Sequence, residues 1–128
     1  MLRQLLENLG LLPGKMYLRI GPQEVFVKNL KNGKTFEQAA DKLDIGTEDF
    51  SALLDLALHS VAGGSFAAPV LFVNVIKSPP LQKTDIEPFK KLLLEKGAHK
   101  VYFFPPEQMA GMTDEQAIEK IALVEKFL

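Results

Sequence analysis

Pro69 introduces Val70-Leu71-Phe72-Val73-Asn74-Val75-Ile76, an apolar run interrupted by a single amide. A run that does not alternate polar with apolar leaves neither face for water, so it predicts a central strand covered on both sides. Pro79-Pro80 then forbids regular structure until Thr84 or Asp85 caps a helix through Glu95, with Gly97 in the position favoured just past a helix C-terminus. Val101-Tyr102-Phe103-Phe104 follows as a second apolar strand. Strand, helix and strand in this order predict a βαβ unit with its two strands parallel.

The rest of the chain must complete that sheet. Met16 to Ile20 and Val25 to Leu30 are β-rich runs separated by Gly21-Pro22-Gln23, a hairpin or a tight bend, and Asn32-Gly33 marks the next turn. Leu2, Leu5, Leu6 and Leu9 have the spacing of a short amphipathic helix that Gly10 and Pro13-Gly14 end. Thr35 with Gln38 reads as a capping box opening a helix with Phe36, Ala39, Ala40 and Leu43 on its apolar stripe. Thr47 caps the next helix, in which Phe50, Leu53, Leu54, Ala57, Leu58 and Val61 form a wide apolar face. Thr113 with Gln116 opens a last helix. The expectation is one α/β or α+β domain over residues 1–128, with a mixed sheet of about four strands and four to five helices.

Composition excludes several functions. The chain has no Cys, which removes disulfides, thiolate nucleophiles and zinc-thiolate sites. Its net charge of −1 gives no global attraction to nucleic acid or to an anionic membrane. Arg3 and Glu7 interrupt the apolar stretch that a secretory signal needs, so a cytoplasmic protein is expected. Charge nevertheless alternates by segment: +4 over 1–34, −5 over 35–68, +3 over 69–104 and −3 over 105–128. Such alternation predicts complementary faces within the molecule, or else a polar partner surface.

Phe36 to Asp55 resembles a helix-turn-helix, with Ala40, Leu43, Ile45, Phe50 and Leu53 at that family's internal contact positions. The would-be recognition helix carries Glu48, Asp49 and Asp55 and no Lys or Arg, so no nucleic-acid binding is expected and the pattern reads as a tight helix pair. Gly97 to Phe103 resembles the last strand of cobalamin-binding domains, but their Asp-x-His-x-x-Gly motif is absent and no cofactor is expected.

Ligands of open parallel sheets bind outside the carboxyl ends of the strands, which here directs attention to the two Pro-Pro loops. The first carries Lys77, Ser78, Lys83 and Thr84, and the second carries Glu107 and Gln108. Lys77 and Lys83 beside a helix N-terminus could receive an anion, and Glu107 with Asp85 could form an acid/base pair. Asn74 either satisfies neighbouring backbone or points into a pocket. His59 is expected to face solvent beside Asp55, and His99 to lie at the amino end of its strand, away from the site. No catalytic or metal-binding motif occurs, which leaves enzymatic activity open but weighs against it.

On the last helix, Ala117, Ile118, Ile121, Val124 and Leu128 form a core stripe, whereas Leu123 and Phe127 project to another side. Leu56 is likewise off the stripe of its helix. Leftover apolar surface of this kind predicts a non-enzymatic protein that self-associates or contacts another protein. The competing expectation is a small-molecule or anion-binding domain using the Pro-Pro loops.

Overall fold

The computed structural model describes residues 14–39, 47–62, 68–76, 83–104 and 112–125. Among them, eight elements follow in the order β1 (Lys15–Ile20), β2 (Glu24–Asn29), β3 (Thr35–Ala39), α1 (Glu48–Val61), β4 (Val70–Val75), α2 (Lys83–Glu95), β5 (Lys100–Phe103) and α3 (Asp114–Glu125). The strands form one mixed sheet in the order β3-β2-β1-β4-β5. β1, β2 and β3 are antiparallel neighbours, and β4 is parallel both to β1 and to β5. The expected βαβ unit is therefore present, and β4 is an interior strand whose residues Leu71 to Asn74 are all buried.

Strand alternation sends side chains to two separately covered faces. On the first face, Met16, Leu18 and Ile20 of β1, Val25 and Val27 of β2, Leu71 and Val73 of β4 and Val101 of β5 meet α1 and α2. Phe50 of α1 and Phe89 of α2 touch edge to face, their ring centroids 5.7 Å apart. On the second face, Tyr17 and Phe72 meet Ala117 and Ile121 of α3. The fold is thus α+β in three layers, with two described helices on one side of the sheet and one on the other.

Several signals act as the sequence indicates. The Thr47 hydroxyl accepts from the Phe50 amide, and α1 buries Phe50, Leu54, Ala57 and Val61. Thr113 and Gln116 exchange both bonds of a capping box. Gly97 has φ +106°; its amide donates to the Leu94 carbonyl and that of Ala98 to the Leu93 carbonyl, the paired bonds of a Schellman motif. Gly21-Pro22-Gln23 is the connection of a true hairpin, in which the Gly21 amide donates to the Glu24 carbonyl.

Three expectations are corrected. Thr35–Ala39 is a strand, not the start of a helix, which raises the sheet from four strands to five. The physical reason lies in the preceding turn: Asn32-Gly33, with Gly33 at φ +76°, folds the chain back so that Thr35 to Ala39 pair with β2. The helix-turn-helix resemblance fails with it, since Phe36 to Ala39, where its first helix would start, belong to an edge strand; Ala40, Leu43 and Ile45 lie outside the described residues. Thr84 and Asp85 do not cap α2, which already includes Lys83 and carries Pro88 in its interior. The N-terminal helix expected over Leu2 to Leu9 lies outside the described residues.

The β2-β3 turn also fixes α1. Asn29, buried in the sheet, donates its amide to the Val61 carbonyl at 2.7 Å, and Asn32 donates to the same oxygen at 3.2 Å. The Asn29 side-chain oxygen accepts from the Lys31 amide, so one residue satisfies both the turn and the helix end. Asn29→Ala is expected to cost about 1 to 3 kcal/mol, the range for leaving buried polar groups without a partner. Urea denaturation would measure it, together with faster hydrogen exchange in the last turn of α1; an unchanged midpoint would mean that Asn32 alone suffices.

Candidate functional site

The parallel pairing of β1 with β4 puts Arg19 opposite Asn74, each next to the carboxyl end of its strand and on the second face. Tyr17 stands one step behind them, opposite Phe72. Asn74 donates its amide to the Tyr17 hydroxyl at 3.1 Å, and that hydroxyl donates to Asp114 Oδ1 at 2.8 Å. Asp114 opens α3, where the helix dipole favours a carboxylate. Its two oxygens also accept from Arg19 Nε at 2.9 and 3.1 Å.

Arg19 is the hub of this cluster. Its Nη1 donates to Glu24 Oε1 at 2.9 Å, its Nη2 lies 3.5 Å from Glu37 Oε2, and its guanidinium lies 5.2 Å from the centre of the Phe26 ring. One cation therefore joins α3 to β1, β2 and β3. The planar fork is what allows it, because guanidinium presents several donors in fixed directions. Gly21 completes the geometry: a Cβ there would collide with the Glu24 carboxylate.

Burial pushes the Tyr17 phenol well above the ordinary tyrosine range. The Asn74 hydrogen bond works against that shift, whereas the Asp114 hydrogen bond and charge reinforce it. At neutral pH Tyr17 is a fixed donor and no base. Every cluster member is engaged, and no buried side-chain polar atom among the described residues lacks a partner. The cluster is thus built to hold charge in place.

The described partner of Asn74 is a side chain, the Tyr17 hydroxyl, to which its amide nitrogen donates. Thr84 is exposed in the first turn of α2, and Lys83 opens that helix. Lys77, Ser78, Glu107 and Gln108 lie outside the described residues, as does Phe127. Leu123 is 57% exposed and Leu56 50%. His59 is exposed in the last turn of α1, but Asp55 pairs with Lys96 Nζ at 2.9 Å instead. His99 precedes β5 at its amino end, its amide bonded to the Pro69 carbonyl. No described helix is long and apolar enough to cross a membrane.

Sequence reasoning missed Tyr17, Arg19, Glu24 and Asp114. The available signal was Arg19 between Leu18 and Ile20, a charge set among the apolar residues Met16, Tyr17, Leu18 and Ile20. The segmental charge pattern foreshadowed the result: Arg19 with Glu37, Arg19 with Asp114 and Lys96 with Asp55 each join segments of opposite sign. Compared with protein-family models, with curated proteins and with solved structures, the chain matches none.

Two outcomes test the cluster. In a double-mutant cycle, Tyr17→Phe and Asp114→Ala are expected to be coupled by about 0.5 to 3 kcal/mol, as for partners in one hydrogen-bond network. Additive effects would show that the hydroxyl and carboxylate act separately. Because the folded pKa of Tyr17 is raised, its contribution to stability is intact below about pH 10 and declines as pH rises beyond that. Alkaline unfolding should release its phenolate absorbance together with the loss of structure, and Tyr17→Phe should flatten the alkaline decline.

Proposed function

We propose that this chain is a small non-enzymatic protein that pairs with a second copy of itself, and contacts other proteins, through apolar side chains that its own core leaves uncovered. Leu123 carries the reading: it is 57% exposed on α3, whose Ala117 and Ile121 are buried against the sheet. Leu56 of α1 repeats the arrangement, half exposed on a helix that buries Phe50, Leu54, Ala57 and Val61. Two-fold pairing suits such a helix, because one surface serves both partners. The polar cluster supports a non-catalytic role, since Arg19 and its carboxylates are engaged with one another and the Tyr17 proton is held tightly. A chain without cysteine suits the reducing cytoplasm, the proposed location.

The expected result is a dimer in native mass spectrometry and light scattering, converted to a folded monomer by Leu123→Glu. A wild-type chain that stays monomeric at high concentration would overturn the proposal.

A second reading is a small-molecule or anion-binding domain, favoured by one feature of the topology. The connection after β4 leads to α2 on the first face and that after β5 leads to α3 on the second, so the chain parts at the carboxyl edge of the sheet. Open α/β sheets bind ligands where such connections diverge. Lys77, Ser78, Lys83, Thr84, Glu107 and Gln108 belong to these connections or to the helix start that follows. Phosphate should then raise the melting temperature of the wild type and not that of a Lys77→Ala, Lys83→Ala variant.

A further inference from the structure

We propose that Asn32-Gly33 is a site of spontaneous covalent modification, at which the fold holds back the conversion of Asn32 to isoaspartate or aspartate and the product releases the last turn of α1. Of the four asparagines in the chain, Asn8, Asn29, Asn32 and Asn74, only Asn32 is followed by glycine. An asparagine converts when the amide nitrogen of the next residue attacks its side-chain carbon, and a glycine leaves that nitrogen unshielded by any side chain. Asn32 and Gly33 are both exposed, and a Cβ on Gly33 would meet nothing within 4 Å. Asn29 and Asn74, by contrast, are buried and precede Leu30 and Val75.

The reaction needs only water. The Gly33 nitrogen gives its proton to solvent base and bonds to Asn32 Cγ; the Cγ–Nδ2 bond breaks, and Nδ2 takes a proton from solvent and leaves as ammonia. Water then opens the cyclic imide. Opening at the main-chain carbonyl carries the backbone through Cβ and Cγ as isoaspartate, and opening at Cγ gives aspartate.

Three hydrogen bonds restrain the reacting groups. The Gly33 amide donates to the Asn29 carbonyl at 2.9 Å, Asn32 Oδ1 accepts from the Lys34 amide at 2.8 Å, and Asn32 Nδ2 donates to the Val61 carbonyl at 3.2 Å. The nucleophile is therefore occupied, and the carboxamide is held by other partners. The bond to Val61 is the longest of the three and lies at a helix end, where local opening costs least. It is the gate, because its opening frees the carboxamide to turn toward Gly33.

The product cannot close that gate again. A carboxylate has no hydrogen to donate to the Val61 carbonyl, and its charge stands at the negative end of the α1 dipole. Isoaspartate also lengthens the main chain inside a turn that returns β3 to β2 with Gly33 at φ +76°. Of the two side chains on the Val61 oxygen, Asn29 is then the one left, although the Val61 side chain belongs to the core. Leu56 and Leu123 take no part, so the inference stands apart from the proposed self-association.

Conversion is followed in the full chain, in mildly alkaline buffer, by mass spectrometry of the peptide that contains Asn32. It is expected to be about tenfold or more slower in the folded chain than in concentrated urea, and faster in Asn29→Ala, whose Val61 carbonyl has lost one of its two donors. Equal rates with and without urea would overturn the proposal, as would an Asn29→Ala rate no higher than that of the wild type. Should Asn29→Ala not fold, the wild type in urea below its unfolding midpoint serves instead. There the rate should rise in parallel with amide exchange in the last turn of α1, and a rate that follows only global unfolding overturns the gate. The product is tested separately with Asn32→Asp, which should speed exchange in that turn severalfold; exchange no faster than in the wild type overturns the release.

Discussion

The Arg19 guanidinium ties the start of α3 to three strands of the sheet at once. It draws Asp114 of α3, Glu24 of β2 and Glu37 of β3 to one strand, β1, and stacks over Phe26 as it does so. A charge with 15% of its side chain exposed is affordable only when its donors are paired, and the same pairing fixes where α3 begins. From Asp114 onward the helix lays Ala117 and Ile121 on Tyr17 and Phe72. The aromatic rings beneath extend the arrangement, with Tyr17 edge-on to both Phe26 and Phe104, and Phe72 stacked on Tyr102. The second face therefore depends on a polar anchor beside its aromatic patch, whereas the first is packed from aliphatic side chains around Phe50, Phe89 and Phe103.

That difference explains which parts of the fold were legible in the sequence. The first layer follows from periodicity alone: the stripe of α1, the non-alternating run of β4 and the Gly97 stop each reflect an interaction within a few residues, or simple burial. The strand at Thr35–Ala39 was misread because its local signals conflict. Thr35 and Gln38 have the spacing of a capping box, yet the strand's one half-buried side chain, Phe36, needs only the partial alternation of an edge. The turn at Asn32-Gly33 decided between them, since it returns the chain antiparallel to β2 before a helix can start. A long-range pairing overrode a local propensity.

The polar cluster was illegible for another reason. Arg19 and Asp114 are 95 residues apart, and nothing in the spacing of a single chain says that α3 starts over β1. Asn74 shows the limit most clearly. Its burial was foreseeable from the apolar run around it, but its partner, the Tyr17 hydroxyl, comes from the neighbouring parallel strand, whose register is a property of the folded sheet.

These two kinds of packing separate the proposed surfaces by their physics. Leu56 and Leu123 stand half or more exposed beside the buried stripes of their helices. A charge introduced there would leave Phe50, Leu54, Ala117 and Ile121 in place, so a change in association would report on the surface and not on the fold. The carboxyl edge of the sheet is different. There Asn74, Tyr17 and Asp114 are committed to one another, and any ligand held by the connections after β4 and β5 would meet a floor whose polar groups are already satisfied. Recognition at that edge would have to come from the connecting segments themselves, whereas association through Leu123 needs only what α3 already displays.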